Sequence, residues 1–233
     1  MREKLLNAIR AHAAAEYPRE CCGLIVAVGR RQAYRACRNL ARDPAEHFAL
    51  DPQDYAAAED VGDVLAIVHS HPDATSRPSE HDKAMCDLSG MPWYILSWPE
   101  GDLRYLEPRQ GRRPLVGRPY VYGALDCYSL VQDWYQAERG IELARFPTED
   151  RWWERGDQDV FMESFRAVGF AQVAEPAHGD VILMQVSAPV TNHCAIYLGE
   201  NMMLHHMPGK LSGREVYGGY WRERTRLYLR YQD

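Results

Sequence analysis

The stretch HSHPDATSRPSEHD, from His69 to Asp82, follows directly on the apolar run VLAIV of residues 64–68. A short apolar run that stops at turn-forming residues predicts a buried strand. Residues two apart on a strand share a face, so His69 and His71 aim at one point while Ser70 turns away. Ser79 stands where a helix cap belongs, with EHDKAMCDL (80–88) as the helix, which sets Asp82 in its first turn. Two imidazoles, one carboxylate and a water form the open tetrahedral site that catalytic zinc requires. Zinc so held lowers the pKa of its water toward ~7 and polarises a carbonyl.

Working outward, Leu5, Leu6, Ile9 and Ala13 recur at helical spacing between Glu3 and Glu16, and Pro18 ends the pattern. CGLIVAV (22–28) reads as a strand with QAYRAC (32–37) as its return, and DPQDYAAAED as a helix capped by Asp51. WYILSW (93–98) and LRYLE (103–107) close this part. The Pro-, Gly- and Arg-rich segment 108–119 reads as a linker. Beyond it, DCYSLVQDWYQAER predicts a helix starting near Cys127 and DQDVFMESFRAVGF (157–170) a second one. DVILMQV, HCAIYLGE, NMMLHH and RLYLRY follow as strands. The expectation is an α+β chain with domains at 1–107 and 120–233.

The chain has 233 residues, 46% hydrophobic and 26% charged, enough for ordinary globular cores. Lys plus Arg number 27 against 33 Asp plus Glu, net charge -6, with the signs interspersed, so no electrostatic case exists for a nucleic-acid partner. The opening residues lack the apolar core of a secretory signal, and no later stretch is expected to span a membrane. The six cysteines form no CxxC pair, which argues for reduced thiols buried as small core residues.

Cys127 is the exception. A thiol at a helix start gains from the unpaired N–H groups there, and it needs an imidazole to take its proton and a polar group to orient that imidazole. His193 opens a strand and His205 lies just past the next turn, so an antiparallel pair would unite them. His206 competes with His205, because neighbouring strand residues face opposite ways. Cys194 should then face the core. His81 reads as surface, His12, His47 and His178 as solvated or loop residues, and the Trp152–Trp153 pair as domain packing.

The run H-S-H-x7-S-x2-D resembles the JAMM motif of the JAB/MPN metallopeptidases, and ECCGLI from Glu20 resembles their upstream glutamate segment. The resemblance covers about residues 1–107 and implies an α/β sandwich. It also implies that His69, His71 and Asp82 ligate one zinc ion, that Glu20 is general base, and that Ser79 steadies the oxyanion. PYVYGALDCYSLV, HGDVILM and HCAIYLGENMMLHH resemble the NlpC/P60 family of papain-like cysteine peptidases, over about residues 112–233. That implies Cys127 as nucleophile, His193 as base, His205 as the orienting residue and Tyr120 as an aromatic beside the thiol. Its usual substrate is the γ-D-glutamyl to diaminopimelate link of peptidoglycan stem peptides. This chain departs from the family at DCYS, where DCSG is usual.

The two domains in this order resemble the tail-tip assembly proteins of lambda-like phages. This implies a hydrolase in the virion tail tip, assembled in the host cytoplasm with other tail-tip proteins and opening peptidoglycan during DNA delivery. A structural tail-tip scaffold and a cellular ubiquitin-like isopeptidase are the alternatives.

Overall fold

Leu5, Ile9 and Ala13 are the buried residues of α1 (Glu3–Glu16), the apolar stripe its spacing predicts. This computed structural model describes residues 2–111, 113–145 and 152–232. The chain divides into two compact units, Met1–Gln110 and Gly111–Asp233.

In the first unit, α1 is followed by the hairpin β1 (Cys22–Val28) and β2 (Arg31–Cys37), then α2 (Pro52–Glu59), β3 (Asp63–Pro72), α3 (Glu80–Ser89), β4 (Trp93–Trp98) and β5 (Leu103–Leu106). Asp51 caps α2 by accepting from Gln53 N at 2.7 Å. The sheet order is β2-β1-β3-β4-β5, with β3 and β4 parallel and joined through α3. Alternation along the strands divides the core between the sheet's two faces. Cys21, Ile25, Ala66 and Val68 pack with α1, whereas Cys22, Leu24, Val26 and Ile67 pack with Ala58 of α2 and Cys86 of α3. Each large aliphatic side chain so buried contributes about 1.5–3 kcal/mol. His69 and His71 follow the Ile67 phase and come out on the α3 face. Gly23 is required where it stands, since a Cβ there would meet the Arg35 carbonyl at 2.4 Å.

The second unit contains α4 (Cys127–Glu138), α5 (Trp152–Arg155), α6 (Val160–Ser164), β6 (Phe170–Val173), β7 (Val181–Met184), β8 (His193–Gly199), β9 (Met202–His205), β10 (Gly213–Val216), α7 (Gly219–Arg224) and β11 (Thr225–Tyr231). Its sheet runs β10-β9-β8-β7-β11-β6, antiparallel throughout. α4 packs on β8. Leu130, Val131 and Trp134 meet Leu183, Cys194, Ile196 and Leu204 on one face, while Ile182, Met184, Ala195 and Met203 pack with Tyr217 and Trp221 on the other.

The helix expected over 157–170 is shorter. Asp159 caps it by accepting from Met162 N, α6 covers only Val160–Ser164, and Gly169 turns with φ 91° into β6. β10 and α7 had no counterpart in the sequence reading. Among the described residues, no helix is long and apolar enough to cross a membrane.

Candidate functional site

The end of β3 and the first turn of α3 meet where the sequence motif predicts. His69 Nε2 lies 3.2 Å from Asp82 Oδ1, His71 Nε2 lies 3.4 Å from Asp82 Oδ2, and the two Nε2 atoms are 3.1 Å apart. One ligand atom from each residue falls within 4.8 Å of the others. Zinc–nitrogen bonds of about 2.0–2.1 Å at tetrahedral angles require donors about 3.3 Å apart, so the donor set fits the ion in spacing as well as in chemistry. The Thr75 carbonyl accepts from His71 Nδ1 at 2.8 Å, which leaves the Nε2 lone pair facing the cluster. His69 is fully buried, stacked on Phe48 at 4.6 Å and set edge-on to Trp93.

The electrostatics follow from burial. Desolvation pushes His69 down, and the Asp82 carboxylate opposes it only in part. For His71, desolvation is outweighed by the hydrogen bonds to Asp82 and Thr75, so its pKa rises. Desolvation would raise Asp82, but hydrogen bonds to both histidines and Ser79 bring it below the usual carboxylate range. Glu20 shares a cavity of about 680 Å³ with His71 and Asp82, and burial pushes it up to about 8. Ser79 forms a capping box with Asp82: its hydroxyl donates to Oδ2 at 2.7 Å and accepts from Asp82 N at 3.0 Å.

One expectation is corrected here. His81 is half-buried rather than surface, and it lines this cavity together with His47, their rings 5.3 Å apart. The first turn of α3 borders the cavity, so a residue beside Asp82 still faces it. Asn39, which no motif marks, holds this wall. It donates to the carbonyls of Glu20 and His47 at 3.0 Å each and accepts from Ala41 N and Ala49 N.

In the second unit, Cys127 is the first residue of α4, whose cap is a second box. Asp126 accepts from Ser129 N at 2.8 Å, and the Ser129 hydroxyl accepts from Asp126 N at 2.7 Å. The thiol opens on a cavity of about 400 Å³ walled by aromatic rings, among them Tyr120, Tyr128 and Phe161, with Arg145 at its edge. Trp152 and Trp153, expected to be domain packing, line this cavity too. They reach it because α5 lies on the Cys127 side of the unit, which sequence order does not reveal. Burial pushes the Tyr120 hydroxyl far up, so it stays protonated.

His193 Nε2 and His205 Nδ1 are 3.1 Å apart, and His205 Nε2 lies 2.9 Å from Glu215 Oε2. Register explains the choice of His205: it pairs with Ala195, on the face that His193 shares, whereas His206 turns to the other face and meets the Tyr120 ring edge-on. Burial, then the neighbouring His205 and His206, push His193 down to about 3. Cys194 faces the core, where its thiol contacts that of Cys127 and burial raises it well above the ordinary thiol value. Among the described residues no hydrogen bond joins Cys127 to His193, so the structure unites the histidines with each other and with Glu215, not with the thiol.

The sequence model described as prokaryotic homologs of the JAB domain matches residues 2–107, and that of the NlpC/P60 family matches residues 117–230. The tail tip assembly protein K of Escherichia phage N15 is 52% identical over 235 residues, covering 100% of this chain and 96% of that protein. The chain belongs to the tail tip assembly protein K family. The family's protein from Escherichia phage lambda is 36% identical over 189 residues, 78% of this chain and 89% of that protein. A desampylase of Haloferax volcanii is 30% identical over 108 residues, 43% of this chain and 77% of that protein. The fold is therefore α+β, with a JAB/MPN-like domain followed by an NlpC/P60 domain, both peptidase-associated.

Proposed function

We propose that this chain is a two-site amide hydrolase of the phage tail tip, combining a zinc-dependent site in its first unit with a cysteine endopeptidase in its second. One observation supports the reading: each unit sets a reactive group at a capped helix N-terminus, Asp82 beside His69 and His71 at α3 and Cys127 at α4, and the second unit also holds a hydrogen-bonded His193–His205 pair. In the first, His69, His71 and Asp82 would hold a zinc ion, which would supply a Lewis acid for the scissile carbonyl and an acidified water. Glu20 is then the proton acceptor within the same cavity, and Ser79 the hydroxyl donor to the tetrahedral oxygen. In the second, the Cys127 sulfur attacks the amide carbon, His193 takes the thiol proton and returns it to the leaving amine, and His205 orients His193. Tyr120 lines the site beside the thiol.

The substrate of the cysteine site is the peptidoglycan stem peptide. Its cavity suits a short peptide carrying carboxylates, with aromatic walls and the Arg145 guanidinium at the edge. The chain works in the virion tail tip, among other tail-tip proteins with which it assembles in the host cytoplasm. Digestion of purified peptidoglycan by the wild type, Cys127→Ala and His71→Ala, with products weighed by mass spectrometry, tests this. Products lost only in the cysteine variant assign wall cleavage to the second unit. A structural tail-tip role is the second reading, favoured by the absence of a thiol–imidazole hydrogen bond among the described residues. It wins if all three proteins leave the wall intact while tails carrying them still assemble.

A further inference from the structure

Glu215 is a half-exposed carboxylate on β10 whose two oxygens are used differently. Oε2 faces His205 Nε2 at 2.9 Å, and Oε1 accepts from Trp221 Nε1 at 2.9 Å. Trp221 comes from α7 and packs its ring edge-on against His205, centroids 4.8 Å apart. The carboxylate is held ionised: burial would raise its pKa, but the hydrogen bonds from Trp221 and His205 lower it.

We propose that Glu215 is a positioning residue that sets the proton on both histidines of the cysteine site. An ionised carboxylate only accepts, so His205 must carry its proton on Nε2. The Nδ1 atom of neutral His205 is then a bare acceptor, and His193, 3.1 Å away, must donate to it from Nε2. His193 is left with an unprotonated Nδ1, and among the described residues no hydrogen bond occupies that atom. It is the nitrogen left free to accept a proton. One carboxylate thus orders two tautomers in series, and when His193 takes a proton the positive charge is stabilised through His205 toward Glu215.

Trp221 makes the arrangement unforgiving in one direction. Its N–H always donates, so in Glu215→Gln the amide oxygen must stay on Trp221, and the amide NH2 is forced onto His205 Nε2. Both tautomers then invert, and His193 presents an N–H toward the cysteine instead of a lone pair. Glu215→Ala removes the acceptor without imposing the wrong donor. The isosteric change is therefore the more harmful one, the reverse of what side-chain packing would dictate.

This inference rests on Cys127 and His193 acting together, and its test separates the two ideas. Imidazole nitrogen spectra of the full chain labelled in histidine should show His193 and His205 protonated at Nε2 in the wild type and at Nδ1 in Glu215→Gln. Alkylation of Cys127 by iodoacetamide at neutral pH, followed on the Cys127 peptide by mass spectrometry, should fall in the order wild type, Glu215→Ala, Glu215→Gln. The glutamine variant should lose on the order of a hundredfold, the low end of what a positioned general base contributes. Adding Trp221→Phe to Glu215→Gln frees the amide to turn over and should restore both the tautomers and the rate above the single variant. Unchanged tautomers in Glu215→Gln, or an alanine variant as slow as the glutamine variant, would overturn the proposal. A wild-type Cys127 that resists iodoacetamide speaks against the nucleophile instead, and the histidine spectra then decide the role of Glu215 alone.

Discussion

The two units place their chemistry at helix N-termini whose capping boxes run in opposite order, Ser79 with Asp82 at α3 and Asp126 with Ser129 at α4. In the first, the acidic partner sits inside the helix and points at two histidines, so the box itself delivers a carboxylate to them. In the second, the acidic partner lies outside as the cap, and the position next to it holds the cysteine. The histidines differ in the same sense. His69 and His71 converge on one carboxylate and on each other, the geometry that concentrates donors on a cation. His193 and His205 form a line ending at Glu215, the geometry that passes a proton's influence along one direction. A cation site needs several lone pairs at one point, and a base needs one lone pair with its partner nitrogen spoken for.

The strongest way to break this comparison is to remove one centre and measure the other. His71→Ala should reduce bound zinc from one per chain to near none by elemental analysis, and Cys127→Ala should leave the zinc content unchanged. Chelation should lower the thermal midpoint of the first unit in the wild type and have little effect in His71→Ala, because only a competent site gains from ligand binding. Zinc retained by His71→Ala would dissolve the distinction between the two geometries.

A smaller effect separates the two histidine pairs by pH. His193 is depressed to about 3 from an ordinary 6.5, so as pH falls the unfolded chain takes the proton first. The stabilisation from keeping it neutral is complete above about pH 6.5 and is lost as pH falls toward about 3, at up to about 1.4 kcal/mol per pH unit. Amide exchange in β8 under mild urea should therefore speed up through this window, and His193→Gln should flatten the slope. A slope that survives the substitution would assign it to another group.

The smallest effects concern the caps. Ser129→Ala and Ser79→Ala should each cost about 1 kcal/mol by urea unfolding. The first should leave zinc content unchanged, whereas the second should also weaken zinc retention, since Ser79 holds the ligand Asp82. Equal zinc retention in the two variants would mean that the Asp82 carboxylate needs no support from its cap.

Much of the architecture was legible because it depends on spacing within single elements. The period of Leu5, Ile9 and Ala13 marks α1, Asp51 marks the start of α2, and the alternation of β3 puts His69 and His71 on one face. The misses share a different cause. Glu215 and Trp221 lie beyond His205 in a stretch broken by Gly218 and Gly219, and nothing local ties them to a histidine. His47 and Phe48 sit in a loop whose position depends on Asn39, and the Trp152–Trp153 pair reads equally well as core or as cavity wall. The five-residue α6 shows the same limit from the other side, since its helical pattern ran on past the point where Gly169 turned the chain.

The order of residues by itself determined that His69 and His71 share a strand face, that Asp82 and Cys127 stand in first helical turns, and which strands carry the histidines, because each follows from the repeat of one helix or one strand. Only the folded chain decided that His205 rather than His206 joins His193, that Glu215 terminates that line, and that His47 and His81 face the first cavity. Those choices depend on strand register and on packing between elements distant in sequence. Both are set by the burial of whole faces, and no short motif encodes them.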